Sequence, residues 1–120
     1  MKRVLVVEDT EDNRQIVRDL LSSAGYEIIE AVTGEQGVAM AAEHRPDLIL
    51  MDIQLPVLDG YEATRRIKAD PALHDIPVIA VTSYALSGDE AKTRDAGCDA
   101  YIAKPFSPRQ LLGKVRELLP

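Results

Sequence analysis

Five short apolar runs constrain the fold of this chain more than any other feature of its sequence. They occupy residues 4–7, 28–29, 48–51, 78–81 and 101–103. Runs this short and rich in branched residues are typical of strands buried on both faces of a parallel sheet. Glu27 and Glu30 flank the second run, and charges in a strand are typical of a sheet edge. The pattern predicts five strands, with the second at an edge.

The intervals between the runs carry helical patterns with start and stop signals. Helix starts are predicted at Thr33, Asp59, Ser87 and Ser107, and helix stops at Gly25 and Gly97. The first helix is predicted to bury one stripe, made of Ile16, Val17, Leu20, Leu21 and Ala24. Strands that alternate with helices predict a (βα)₅ fold of the α/β class, with right-handed crossovers.

The fourth predicted helix differs from the others. Between Gly88 and Gly97 its only apolar side chains are Ala91 and Ala96. Because helices take most of their stability from packing an apolar face, two interpretations stay open: a mobile element, or an ordinary surface helix.

Composition narrows the classes of function. Fourteen basic and twenty acidic residues give a net charge of −6, which argues against nucleic acid or an anionic membrane as a direct partner. The single cysteine fits a reducing compartment. Neither a membrane-length apolar run nor a signal peptide is present in the sequence. We therefore expect one cytoplasmic domain over residues 1–120.

Polar residues follow the predicted strands where ligands usually bind. In an open α/β sheet this place is the edge beyond the carboxyl ends of the strands. The residues found there are Glu8 and Asp9, Asp52, Thr82 and Ser83, and Lys104. The pattern predicts that three carboxylates, one or two hydroxyls and one ammonium group converge at one edge.

Such a cluster favours a hard divalent cation. Carboxylates a few ångströms apart repel by on the order of 1–4 kcal/mol per pair at a surface-like dielectric. Lys104 supplies one compensating positive charge, and a divalent cation would supply the remainder. A ligand set made only of oxygen atoms favours Mg²⁺, whereas a zinc site would favour His or Cys. Asp52 is then a candidate nucleophile that forms an acyl phosphate. The cation and Lys104 would offset the phosphoryl charge, and Thr82 could donate a hydrogen bond to it.

Each of these residues also has an ordinary explanation when taken alone. Glu8 and Asp9 could be helix N-terminal charges, Asp52 could cap a turn, and Lys104 could be a solvated lysine. Their joint occurrence at strand ends favours a functional site.

Four segments resemble one known family. They are residues 4–9 (VLVVED), 47–60 (DLILMDIQLPVLDG), 78–83 (VIAVTS) and 101–106 (YIAKPF). Along essentially its whole length the chain resembles the receiver domain of two-component response regulators, and most closely the single-domain regulators of the cell-cycle type. The resemblance implies a doubly wound, flavodoxin-like five-stranded parallel sheet of order 2-1-3-4-5 with helices on both faces.

The resemblance also assigns roles at the site. Asp52 is the implied phosphoacceptor, which takes a phosphoryl group from a phosphohistidine on a sensor histidine kinase or histidine phosphotransfer protein. The implied metal ligands are Asp9, Asp52 and the backbone carbonyl of Gln54, with Glu8 acting through water and with Mn²⁺ able to substitute for Mg²⁺. Lys104 pairs with the acceptor and then with the phosphate, and the Lys104–Pro105 bond is expected to be cis.

Thr82 and Tyr101 are the implied switch pair, in which the ring turns inward after the hydroxyl moves toward the phosphate. We expect the fourth helix, fifth strand and fifth helix to form the surface that binds a downstream protein. Ser83 stands where many relatives carry alanine, and Gln54 and Tyr84 occupy positions that tune phosphoryl lifetime in the family.

This hypothesis describes a signalling module that modifies only itself and is not an enzyme with external turnover. One alternative is an aspartyl-phosphate hydrolase, which usually needs a second carboxylate where this chain has Gln54. A flavin carrier is less favoured, because the acidic segment 8–12 would repel a phosphate.

Overall fold

The computed structural model describes residues 1–83 and 89–120, and in these it contains strands alternating with helices. The strands are β1 (Arg3–Val7), β2 (Glu27–Ala31), β3 (Leu48–Asp52), β4 (Val78–Thr82) and β5 (Ala100–Ala103). The helices are α1 (Glu11–Ser23), α2 (Gly34–His44), α3 (Gly60–Ala69), α4 (Asp89–Ala96) and α5 (Pro108–Leu118). All neighbouring strands pair in parallel, in the order β2-β1-β3-β4-β5. The predicted α/β fold, strand order and edge position of β2 are confirmed.

Two apolar clusters hold the helices to opposite faces of the sheet. One cluster joins the sheet to α1 and α5 through Val17, Leu21, Leu111 and Val115. The other includes Ala41 of α2 and Ala63 and Ile67 of α3. Because both faces are covered, every residue of β3 and β4 is buried, which explains the apolar runs 48–51 and 78–81.

Side-chain caps begin three of the helices as the sequence predicts. The side chains of Thr33, Asp59 and Ser107 each accept a hydrogen bond from the backbone N–H three residues later. Such caps satisfy backbone donors that a helix start leaves without partners. The predicted start of the fourth helix at Ser87 lies outside the described residues.

The buried stripe of α1 differs from the predicted one. Ile16, which was predicted to be in the core, is 61% exposed, whereas Arg14 is buried with Val17 and Leu21. Successive helical residues are rotated by about 100°, so Ile16 faces away from the line through residues 14, 17 and 21. The prediction is confirmed for Val17 and Leu21 and wrong for Ile16, because it chose the stripe by hydrophobicity, whereas an arginine with anionic partners occupies part of the inner face.

Helix α4 is sparsely packed, as expected. Thr93 and Ala96 are buried, but Ala91 is exposed. Its mobility remains a hypothesis.

Candidate functional site

The sheet order brings the acidic residues together. Glu8 and Asp9 directly follow β1, and Asp52 is the last residue of β3, the strand beside β1. Carboxylate oxygens of all three residues lie within 4.8 Å of one another. Glu8 and Asp52 are buried, whereas Asp9 is exposed. The cluster therefore has a buried interior and an open side.

Lys104 reaches this cluster from the end of β5. Its Nζ donates to Glu8 Oε1 over 3.0 Å and to Asp52 Oδ2 over 3.3 Å. The Lys104–Pro105 bond is cis, as the resemblance implies. The structure thus places an ammonium group beside the two buried carboxylates.

Burial and crowding change the acidities in this cluster. Burial, followed by hydrogen bonding to Glu8 and the charge of Glu8, raises the pKa of Asp52 to about 7. Burial also acts to raise the pKa of Glu8, but hydrogen bonds with Asp52 and Lys104 outweigh it and leave that pKa below its usual value. Glu8 and Asp52 therefore carry one negative charge together more readily than two. A cation bound beside them would favour ionisation of both carboxyl groups.

The pKa values of the other two charged groups, Asp9 and Lys104, are also raised. Burial and the nearby Glu8 raise the pKa of Asp9. Burial acts to lower the pKa of Lys104, but a hydrogen bond to Glu8 and the charges of Asp52 and Glu8 outweigh it and raise that pKa. Lys104 is thus a stable cation at neutral pH.

The donor set fits Mg²⁺. The metal-competent group found in the described part of the chain offers carboxylate oxygens only, and such ligands suit a hard cation that retains several waters. The exposed side of Asp9 leaves room for those waters and for an incoming group.

Gln54 links the acidic cluster to the end of β4. Its backbone N–H donates to Asp52 Oδ1 over 3.1 Å, and its side-chain Nε2 donates to Thr82 Oγ1 over 3.0 Å. Its Oε1 accepts a hydrogen bond from the Ser83 N–H over 3.2 Å. The resemblance implies roles for the carbonyl and the position of Gln54, and no sequence signal indicates these side-chain partners.

Thr82 and Tyr101 lie on the same face of neighbouring strands. Thr82 is fully buried and pairs in register with Ala103, while the half-buried Tyr101 pairs with Ala80. Paired residues of parallel strands project to one face, and so do residues two apart along a strand. Of the two alanines paired with them, Ala80 is buried in the core and Ala103 is exposed. Tyr84, also singled out by the sequence, lies outside the described residues.

Gly60 lets the chain pass close to Asp52. A Cβ at this position would lie 2.3 Å from the Asp52 carbonyl oxygen and 2.7 Å from the Ile53 Cα. The Gly60 N–H donates to the Ile53 carbonyl over 3.1 Å. The start of α3 is therefore packed directly against the backbone that carries the Asp52 side chain.

A groove of about 510 Å³ opens between α1 and the start of α5, beside the acidic cluster. The residues that line it include Asp52 and Lys104 and also the apolar Ile16, Pro105 and Phe106. Ile16, whose exposure the sequence did not predict, therefore lines the groove beside the acidic cluster. None of the helices in the described ranges combines the length and apolarity needed to cross a membrane.

Comparison with protein families gives one match across most of the chain. The model of the response regulator receiver domain matches residues 4–116. Polar-differentiation response regulators DivK from Brucella anthropi and Brucella ovis are each 48% identical over 118 residues, which covers 98% of this chain and 96% of theirs.

Solved structures agree with these relatives. The receiver domain of a sensor histidine kinase from Pseudomonas aeruginosa, which has magnesium coordinated in its active-site cleft, is 40% identical, with a TM-score of 0.92. That comparison covers 98% of this chain and 97% of the other. The chemotaxis response regulator CheY4 of Vibrio cholerae is 29% identical, with a TM-score of 0.93 and coverage of 98% of both chains.

Proposed function

Because the chain belongs to the response regulator receiver domain family, we propose that it is a phosphorylation-operated switch whose phosphoacceptor is Asp52. The observation that carries this proposal is the grouping of Glu8, Asp9, Asp52 and Lys104 at one sheet edge, with Asp52 buried and Lys104 bonded to it. A carboxylate placed in this way can accept a phosphoryl group, because the neighbouring charges compensate the new anion.

In the proposed transfer, an Asp52 carboxylate oxygen forms a bond to phosphorus while the phosphorus–nitrogen bond of a phosphohistidine breaks. The electron pair of that bond stays with the imidazole of the donor. Lys104, which contacts Asp52 and Glu8 in the resting site, then pairs with a phosphoryl oxygen. When bound, Mg²⁺ supplies charge neutralisation for the same oxygens.

We assign the metal ligands to the residues that the resemblance implies. Asp9, Asp52 and the Gln54 carbonyl would hold Mg²⁺ directly and Glu8 would act through water, and Mn²⁺ would substitute. The compact carboxylate group supports this assignment, since its oxygens lie within 4.8 Å of one another.

The proposed response passes from Thr82 to Tyr101. Thr82 would leave Gln54 to donate to the phosphoryl group, and the Tyr101 ring would turn inward into the space that the hydroxyl leaves. Depressions of about 240 and 590 Å³ adjoin Tyr101 on the surface of α4, β5 and α5. A protein partner could therefore detect a change in the position of the ring at this surface.

The proposed partners are a sensor histidine kinase or histidine phosphotransfer protein as donor and a downstream protein at the α4-β5-α5 surface. The net charge of −6 favours protein partners over nucleic acid or an anionic membrane. A cytoplasmic location follows from the proposed pathway.

A phosphorylation assay tests the proposal. The protein is incubated with Mg²⁺ or Mn²⁺ and acetyl phosphate, and intact mass is measured. We expect one acid-stable, base-labile phosphoryl group per chain, lost on chelation and in Asp52→Asn. The exposed Asp12 provides the matched control Asp12→Asn, which should be modified normally.

Modification of Asp52→Asn at the wild-type level would overturn the assignment of the acceptor. Catalytic release of phosphate from an external phosphomonoester would instead favour the hydrolase alternative, since a switch turns over only its own phosphoryl group.

A further inference from the structure

We propose that Arg14 is a positioning residue for cation binding: it fixes the turn between β1 and α1 that presents Glu8 and Asp9. The inference rests on the proposed function, because it concerns the same metal-binding acids. Arg14 contacts the backbone carbonyl of Glu8 and the side chain of Glu30 on β2.

The guanidinium of Arg14 is held at several points. Its Nη1 donates to the Glu8 carbonyl oxygen over 2.9 Å in a buried hydrogen bond. Its Nε donates to Glu30 Oε1 on β2 over 3.2 Å, and it forms an ion pair with Glu11. Arg14 is only 9% exposed, and an arginine is rarely buried unless it is paired. These contacts connect the turn to both α1 and β2.

The residue that Arg14 holds is the one that begins the acidic pair. The Glu8 N–H donates to the Ala31 carbonyl over 3.1 Å, and the Glu8 carbonyl accepts from Arg14 over 2.9 Å. The backbone on both sides of the Glu8 Cα is therefore fixed. The peptide bond joins Asp9 to this same carbonyl group, so the carboxylates of Glu8 and Asp9 are both carried by backbone that hydrogen bonds fix. Metal ligands held in this way bind a cation with less reorganisation.

A lysine would not reproduce this arrangement. The guanidinium of arginine carries several N–H donors in a rigid plane. In Arg14, Nη1 donates to Glu8, Nη2 to Glu11 and Nε to Glu30. The ammonium of lysine is a compact charge on a flexible stem and lacks this geometry. The positioning role therefore depends on the shape of the guanidinium as well as on its charge.

The sign of the effect separates positioning from simple electrostatics. Arg14 is a cation near a site for a cation, so the loss of its charge alone would strengthen Mg²⁺ binding. Loss of positioning would weaken it. A variant that folds and binds Mg²⁺ less tightly can therefore be explained only by the second effect.

Arg18 provides the matched control. It lies one helical turn after Arg14 on α1 and donates to both oxygens of the same Glu30, over 2.9 and 3.0 Å. In the part of the chain that the structure describes, its hydrogen bonds do not reach the Glu8 backbone. Arg18→Met therefore removes a cation from the same carboxylate without releasing the turn.

The experiment measures Mg²⁺ affinity by titration calorimetry on wild type, Arg14→Met and Arg18→Met, with folding checked by circular dichroism. We expect Arg14→Met to bind Mg²⁺ about tenfold more weakly, and Arg18→Met to bind as wild type or slightly more tightly. Unchanged or tighter binding by Arg14→Met would overturn the proposal, and so would equal weakening in both variants.

Arg14→Lys decides the question if Arg14→Met does not fold. We expect this charge-conserving variant to bind Mg²⁺ more weakly than wild type, whereas wild-type affinity would show that the guanidinium is not required. Phosphorylation of wild-type Asp52 is measured separately, so a failure of the proposed switch and a failure of the role of Arg14 are distinguished.

Discussion

The side chain of Gln54 is hydrogen-bonded to the hydroxyl of Thr82, with 3.0 Å between Nε2 and Oγ1. The same amide accepts the Ser83 N–H through its oxygen, and the Gln54 backbone donates to Asp52. One residue therefore contacts the proposed acceptor on one side and the proposed switch hydroxyl on the other. We therefore expect a movement of Thr82 toward a phosphoryl group to weaken its bond to Gln54.

Gln54→Ala should make activation easier. A neutral hydrogen bond contributes about 0.5–1.5 kcal/mol net, so its loss from the resting state should tighten the binding of beryllofluoride, a phosphoryl mimic, by about 2- to 10-fold in the presence of Mg²⁺. Nuclear magnetic resonance titration measures this affinity. Gln15→Ala, at an exposed position of α1, is the control. Equal or weaker binding by Gln54→Ala would show that the amide does not restrain Thr82.

The contribution of Asp52 to the stability of the metal-free protein should fall as pH rises from about 4 to about 7. The pKa of Asp52 is raised from 3.8 to about 7 in the folded state, so the folded state binds more protons than the unfolded state in this window. The resulting stability is fully present below the unfolded pKa and is lost as pH rises through the folded pKa.

Asp52→Asn should remove much of this pH dependence. Near pH 8 and without metal, it should be more stable than wild type by about 1–3 kcal/mol, because no buried carboxylate has to ionise. Urea denaturation at several pH values measures the difference, and adding Mg²⁺ should narrow it by stabilising the wild type. A wild-type protein whose stability is flat between these pH values would contradict the raised pKa of Asp52.

Gly60→Ala should damage both stability and phosphorylation. Its Cβ would lie 2.3 Å from the Asp52 carbonyl oxygen, so the backbone at the proposed acceptor must shift at a cost of about 1–3 kcal/mol. Thermal denaturation and the phosphorylation assay test the two effects.

Gly113→Ala is the matched control for Gly60→Ala. Among the residues that the structure describes, no atom outside the immediate backbone lies within 4 Å of the Cβ that it would add on α5, so we expect it to stabilise the helix by about 0.5–1 kcal/mol. If both substitutions stabilise, the close approach at Gly60 is not a constraint.

Val57→Asn should stabilise the protein. Val57 has a φ of 67° and is 97% exposed, so a branched side chain occupies the left-handed region without burying apolar surface. Left-handed backbone costs roughly 1–2 kcal/mol for an ordinary residue and is better tolerated by asparagine. We expect a gain of about 1 kcal/mol in urea denaturation and a smaller gain for Val57→Ala, which removes the branch but lacks the polar side chain that lets asparagine hydrogen-bond locally in this region. Loss of stability in Val57→Asn would mean that the valine makes a contribution that its exposure hides.

The local sequence signals predicted the architecture well because they act over short distances. The apolar run 48–51 became a strand because both faces of β3 are covered, and Asp59 became a helix cap because its side chain reaches the Glu62 N–H over 2.9 Å. Parallel topology then brings the ends of β1 and β3 to one edge, which is why Glu8, Asp9 and Asp52 could be expected to meet.

The same kind of reasoning was wrong at Ile16 and did not identify the role of Arg14. Hydrophobicity places an isoleucine inside and an arginine outside, yet Arg14 is buried and Ile16 is exposed and lines the groove. The deciding contacts are with Glu8 and Glu30, which come from other elements of the fold. The pattern of apolar residues within α1 contains no information about Glu8 and Glu30, which lie outside that helix.

The amino-acid sequence by itself therefore determined the alternation of strands and helices. It also determined which polar residues follow the strands at the ligand-binding edge of the sheet. Only the tertiary structure decided which carboxylate would carry a raised pKa, which amide would hold Thr82, and which arginine would anchor the turn. The physical reason is that hydrogen-bond strength and desolvation change over tenths of ångströms to a few ångströms. Those distances are set when segments remote in sequence pack together.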